Sequence, residues 1–255
     1  EEGNLTLKAL MTFLGVFLMG GGAAGLNQIQ ERSLDKTMIR TAGRPLPSKG
    51  ISLGEAITFT ALCIITGAIL LFRLGWLPLV LGLSNIVFYN LLYTPLKKVT
   101  IFAILPGGIV GAIPPMIGWT AAGGMLNHPN IIYLATLLFL WQIPHFWILV
   151  IRHGKEYEKA GFKSISIYLD EKQIRRLVFS WILISSIFLA SYPMFGVDLN
   201  LMIGIGIIIL NIILILAFYW YLFRITNQSK IKLAFILMNA FLMLVLILLV
   251  VNSLI

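Results

Sequence analysis

The sequence has few charges and almost no cysteine. Asp, Glu, Lys and Arg make up 11% of its 255 residues, where a soluble domain carries about 25%. That shortage excludes a disordered chain, which depends on charge and polarity to stay unfolded. An ordinary soluble globule is excluded too. The hydrophobic set is 59% of residues and mean hydropathy is +0.94, more apolar surface than a core of this size can hide. The single cysteine, Cys63, lies in an apolar run, so no disulfide framework or thiolate metal cluster is expected. Acids are scarcer than bases, 10 against 19, which gives a net charge of +9. Such a balance can mark a nucleic-acid binder. In a chain of long apolar runs its simpler source is the loops that flank a bilayer, and no nucleic-acid partner is expected.

What the chain has is apolar length. A spanning helix needs about 20 mostly apolar residues. Eight stretches qualify: 6–27, 53–72, 75–94, 101–122, 130–151, 174–194, 199–222 and 231–252. The expected fold is an all-α integral membrane bundle, a single transmembrane domain over 1–255 with the lipid bilayer as its surroundings. The first stretch ends in a polar motif rather than a small-residue cleavage site, so it reads as a span and not as a signal peptide.

The charges orient these spans. Seventeen of the 19 basic residues fall in four segments, 29–52, 95–100, 152–176 and 224–232. These are alternate connections, so the positive-inside rule places them in the cytoplasm or its equivalent. Topology alone explains most of these charges. It does not explain the acids and the amide among them.

The first polar segment reads LNQIQERSLDKTMIRTAGRPL, with Asn27, Glu31 and Asp35 at four-residue intervals. On a helix they share one face, about 6 Å apart along the axis. Two carboxylates and an amide at a membrane face suit a hard, oxygen-liganded cation such as Mg2+, whose shell substrate phosphates complete. Arg40 and Arg44 follow at the same interval, and arginine pairs bidentately with phosphate oxygens. The sharpest reading is a site for Mg2+ and a diphosphate. The plainer alternative is an amphipathic juxtamembrane helix. Such a helix would avoid the like-charge steps from Glu31 to Asp35 and from Arg40 to Arg44.

In the second segment, Tyr93 and Lys97 flank Pro95. Lys97 is a further phosphate contact, or the pair is an interface anchor. The fifth span ends WQIPHFWILVIRHGKEYEKAGF. Pro144 is expected to kink the helix. His145 lies seven residues, roughly 10 Å, inside the membrane from Arg152. A polar side chain at that depth is a functional candidate, or a neutral histidine bonded to a neighbouring helix. Trp141, Phe146 and Trp147 read as packing, a tunnel wall, or ring faces toward a developing cation. Glu156 and Glu158 lie beyond the span among basic residues. Glu156 is the second acid expected to face the first cluster across one cavity.

Together these residues resemble the UbiA superfamily of intramembrane prenyltransferases, and within it the branch that farnesylates haem. Its first acidic motif, NxxxDxxxD, is matched by Asn27, Glu31 and Asp35, followed by Met38, Arg40, Thr41, Arg44, Pro45 and Leu46. Its YxxxK motif is matched by Tyr93 and Lys97. The stretch GGIVGAIPPMIGW (Gly107 to Trp119), PHFW (Pro144 to Trp147) and EYEKAG (Glu156 to Gly161) are similar to that branch. The likeness covers nearly the whole chain. It implies transfer of farnesyl from farnesyl diphosphate to a vinyl group of haem B, with Mg2+ as cofactor. Asn27, Glu31, Asp35, Tyr93, Lys97 and Glu156 would form the catalytic set. Glu31, Asp35 and Glu156 would hold the metal, and Arg40, Arg44 and Lys97 the diphosphate. His145 and Trp147 are carried over as haem contacts. It further implies a bacterial inner membrane or a mitochondrial inner membrane, and haem A synthase or terminal-oxidase assembly proteins as partners.

The sequence departs from the family in three ways. Glu31 and Glu156 stand where aspartate is commonest, and Ala160 stands where other branches carry a second aspartate. Eight spans are read where the family has nine; taking the first span here as the family's second restores the topology that the charges give. Three other functions stay open on the residues: prenyl transfer to an aromatic quinone precursor, a transporter with helices broken near Pro114, Pro115 and Pro144, and a non-catalytic assembly factor.

Overall fold

The computed structural model describes residues 2–224 and 228–253. Residues 1, 225–227 and 254–255, which belong to the expected domain and to the fourth basic segment, lie outside the described residues, as do the side chains of Lys155 and Lys230. The regular elements among the described residues are all helices, with no strand among them. Bilayer-compatible backbone must satisfy its own hydrogen bonds, and helices do so within one segment. Among the described residues, eight helices are long and apolar enough to cross a membrane.

The long helices are α1 (Glu2–Asp35), α3 (Leu53–Leu74), α4 (Trp76–Ile86), α6 (Ile104–Ala121), α7 (Pro129–Lys159), α8 (Glu171–Ala190), α9 (Leu201–Tyr219) and α10 (Gln228–Asn252). Two short helices, α2 (Ile39–Ala42) and α5 (Thr94–Leu96), lie in the polar connections. A π-helical stretch, Val87–Tyr93, joins α4 to α5, and a second, Trp220–Arg224, extends α9. Two helices overrun the expected spans. The apolar run of α1 stops near Asn27, but the helix continues to Asp35; α7 likewise passes 151 and ends at Lys159. Hydropathy reports where lipid ends, whereas hydrogen bonding decides where the helix ends. Helix α7 is continuous past Pro144.

The chain divides into two compact units. The first comprises Glu1–Ala135 and Lys155–Ser164, the second Thr136–Gly154 and Ile165–Ile255. In the first, α1 and α3 pack backbone against backbone. A Cβ on Gly67 would lie 3.0 Å from the Gly15 carbonyl oxygen and from the Met19 nitrogen. Lipid gives helices no hydrophobic drive to associate, so close approach through small residues supplies the packing. Met19, Leu71, Ile113 and Ile117 fill the core beside them. Ser52 and Glu55 cap the start of α3 reciprocally, which fixes where the polar segment from 36 to 52 ends.

The second unit has its own apolar core, including Val178, Ile182, Ile207, Phe218, Met238 and Val245. Its buried polar groups bond mainly to backbone. Asn211 Nδ2 donates to the Ser186 carbonyl at 2.9 Å. Arg175 Nη1 donates to the Leu222 carbonyl at 3.0 Å while Nε donates to Glu171. Asp170 and Gln173 cap α8.

Candidate functional site

In the first unit, the ends of α1, α5 and α7 bring most of the candidate residues together. Because α1 stays helical to Asp35, Asn27, Glu31 and Asp35 keep their four-residue spacing on one face. All three are buried, at 5%, 3% and 1% exposure. A carboxylate survives burial only with charged or hydrogen-bonding partners, and each has one partnered oxygen. Glu31 Oε2 accepts from Lys97 Nζ at 2.7 Å and from Asn27 Nδ2 at 3.1 Å. Asp35 Oδ2 accepts from Arg44 Nη1 at 2.9 Å.

The other two oxygens are unlike these. Glu31 Oε1 and Asp35 Oδ1 are buried with no hydrogen-bond partner. Such orphaned acceptors are costly, and a hard cation satisfies them directly. The pair therefore fits Mg2+. Among the described residues, no three of His, Cys, Asp and Glu gather closely enough to hold a metal ion. A site with two protein carboxylates, completed by water and phosphate oxygens, is the usual Mg2+ arrangement.

Glu156, expected as a third ligand, does not join that group. Its Oε1 accepts from the Arg40 backbone N–H at 3.3 Å, and the neighbouring Tyr157 ring lies 5.9 Å from the Arg40 guanidinium carbon. Glu156 still lies in the same unit as Asn27, Glu31 and Asp35, held to α2.

Lys97 connects the pieces. Its ammonium sits 5.0 Å from the Tyr93 ring centroid and 5.4 Å from that of Phe162. Its carbonyl accepts from Lys163 N–H at 3.1 Å. Burial pulls the ammonium below the usual lysine range, and the Glu31 carboxylate opposes that pull. Tyr93 stacks on Tyr89 at 5.7 Å. The two cations nearest the acids, Lys97 and Arg44, are each tethered to one carboxylate. Arg40 is exposed.

His145 and Trp147 belong to the second unit. The His145 ring lies 4.7 Å from that of Phe235 and meets Phe146 edge-on at 6.0 Å. Trp147 meets Trp181 edge-on at 6.0 Å.

Several further residues support the site. Thr94 Oγ1 accepts from Asn27 Nδ2 at 3.0 Å. Asn90, fully buried, donates to the Ala23 carbonyl at 2.9 Å and to Gln30 Oε1 at 3.2 Å. Phe162 and Tyr157 supply ring faces to Lys97 and Arg40. A signal existed for Asn90, since an amide inside an apolar span rarely lacks a role. Phe162 gave none.

The UbiA prenyltransferase family profile matches residues 2–246. The chain belongs to the UbiA prenyltransferase family. This UbiA chain is 44% identical over 147 residues to a protoheme IX farnesyltransferase from Geobacter sulfurreducens, covering 58% of this chain and 54% of that relative. It is 35% identical over 205 residues to a protein of the same name from Nitratidesulfovibrio vulgaris, covering 78% and 71%. The aligned stretch thus takes in about half of the first relative and more of the second. In fold it is similar to a UbiA homologue from Aeropyrum pernix K1, with a TM-score of 0.71, 18% identity and coverage of 93% and 89%. It is also similar to a UbiA homologue from Archaeoglobus fulgidus bound to GPP and Mg2+, with a TM-score of 0.70, 12% identity and coverage of 95% and 87%. At those identities the structures speak for the fold. The chain is an integral membrane protein of this family.

Proposed function

We propose that this protein transfers the farnesyl group of farnesyl diphosphate to a vinyl group of haem B, giving haem O and diphosphate. The observation that carries the chemistry is the pair of buried carboxylates, each bound to a cation through one oxygen and open at the other. The relatives named protoheme IX farnesyltransferase support the choice of substrates. The homologue bound to GPP and Mg2+ supports a metal–diphosphate donor.

Glu31 and Asp35 would hold Mg2+, and bound Mg2+ neutralises the charge that develops on the departing diphosphate. Arg40, Arg44 and Lys97 bind the diphosphate oxygens, with Glu156 as the second acid. Asn27 and Tyr93 orient Glu31 and Lys97. When the allylic C–O bond breaks, the electron pair leaves with diphosphate. The vinyl carbon of haem attacks the allylic cation, water adds to the resulting cation, and its proton passes to solvent. The burial of Asn27, Glu31 and Asp35 keeps bulk water from competing for the allylic cation. His145 and Trp147 are the proposed haem contacts. The basic connections face the cytoplasm, or the matrix in a mitochondrion, with haem A synthase or terminal-oxidase assembly proteins as protein partners.

The test is a transfer assay in lipid nanodiscs with haem B, farnesyl diphosphate and Mg2+, read by mass spectrometry. The expected product is haem carrying one farnesyl group and one hydroxyl group on the former vinyl carbons. Folded protein that leaves haem unchanged but prenylates an aromatic quinone precursor would overturn the acceptor assignment.

A further inference from the structure

We propose that Thr94 is a positioning residue that fixes the amide of Asn27 and, through it, which oxygen of Glu31 stays open to the cation. This rests on the metal–diphosphate reading above.

Thr94 lies at the end of the π-helical stretch Val87–Tyr93, and its backbone N–H reaches the Tyr89 carbonyl. Its hydroxyl donates to the same carbonyl at 2.8 Å, which has lone pairs for both. The only hydroxyl hydrogen is thereby used, so toward Asn27 the Thr94 oxygen can only accept. It accepts from Asn27 Nδ2 at 3.0 Å. The second hydrogen of that amide goes to Glu31 Oε2 at 3.1 Å. Turning the amide over would set its carbonyl against a spent hydroxyl and a carboxylate, three acceptors without a donor. Asn27 is thus held with its nitrogen toward Glu31. With Lys97 also on Oε2, Oε1 is the oxygen left free. Thr94 is 2% exposed and Asn27 5%, so water does not readily take over either role.

The neighbouring turn keeps Thr94 in register. Pro95 has no N–H, so in the π pattern the Asn90 carbonyl, five residues back, loses its donor. Gln30 Nε2 from α1 supplies one at 3.1 Å. Asn90 Nδ2 returns bonds to Ala23 and Gln30 on α1. The turn that carries Thr94 is therefore tied to the helix that carries Asn27 and Glu31.

The experiment measures Mn2+ binding by electron paramagnetic resonance, in nanodiscs containing the non-cleavable analogue farnesyl thiodiphosphate. Thr94→Val keeps the shape and removes the hydroxyl; it should bind Mn2+ about tenfold more weakly, in line with one unsatisfied buried donor. Thr94→Ser should bind as wild type does. Haem affinity, read by Soret titration, should be the same in all three. Wild-type Mn2+ binding by Thr94→Val would overturn the proposal, as would Thr94→Ser weakened as much as Thr94→Val, or equal losses of haem and Mn2+ affinity. If Thr94→Val does not fold, Thr94→Ala against Thr94→Ser makes the same comparison. A wild type that binds Mn2+ and the analogue but passes no farnesyl to haem overturns the acceptor assignment. The role of Thr94 then still stands if its variant binds Mn2+ more weakly.

Discussion

Each of the two units has an ion pair with one partner buried, and the pairs are built differently. In the first, the acid is the buried partner. Glu31 has 4% of its side chain exposed, Lys97 has 20%, and one carboxylate oxygen is left without a donor. In the second, the base is the buried partner. Arg175 has 8% of its side chain exposed and Glu171 has 60%. The planar fork of Arg175 is occupied by Glu171 and by the Leu222 carbonyl. The Arg175 pair closes on itself and pins the end of α9 to α8, whereas the Glu31 pair keeps an acceptor in reserve. A buried charge whose partners are complete is costly to break, and one with an open oxygen is a candidate to receive a ligand.

Breaking the first pair should show the largest effect. Asp35→Asn and Glu31→Gln keep size but lose charge, and each should lower farnesyl transfer by about 100-fold or more, as loss of a charge-stabilising group does. Transfer is measured as product mass per unit time. Unchanged transfer in both variants would favour a non-catalytic assembly role.

Removing the base from each pair sharpens the contrast. Lys97→Met leaves Glu31 buried without its counter-ion and should cost about 3 kcal/mol of stability, together with weaker diphosphate binding. Arg175→Met should cost about 2 kcal/mol through the orphaned Leu222 carbonyl, with Mg2+ and diphosphate binding unchanged. Detergent-titrated unfolding and analogue binding separate the two outcomes. Lost analogue binding in Arg175→Met would remove the distinction.

A smaller effect is expected at Arg40, whose guanidinium lies near Tyr157 while its backbone binds Glu156. Arg40→Ala should raise KM for farnesyl diphosphate by about fivefold, the scale of one exposed ionic contact, with kcat little changed. For His145, His145→Ala should shift the Soret band of added haem. An unshifted band with normal turnover would remove His145 from the haem contacts.

What the sequence made legible follows from distance along the chain. The face shared by Asn27, Glu31 and Asp35 was readable because all three lie on one helix within nine residues. The eight spans were readable from apolar runs, although the ends of α1 and α7 were not, since charged residues there remain helical. The pairing of Lys97 with Glu31 spans 66 positions, and no local pattern encodes it. Nor did the sequence announce the π-helical stretch at Val87–Tyr93, where Gln30 from another helix bonds the Asn90 carbonyl. Glu156 was expected beside the metal acids. Its Oε1 accepts from the Arg40 backbone N–H, a contact across 116 positions that no local pattern encodes.

The central claim is that the open oxygens of Glu31 and Asp35 receive a cation that carries the diphosphate. The most direct measurement is equilibrium binding of farnesyl thiodiphosphate to the protein in nanodiscs, with Mg2+ and with chelator. Wild type should bind only with Mg2+, and the Glu31→Gln, Asp35→Asn double variant should not bind under either condition. Equal binding with and without Mg2+, or Mg2+-dependent binding that survives in the double variant, would contradict the account.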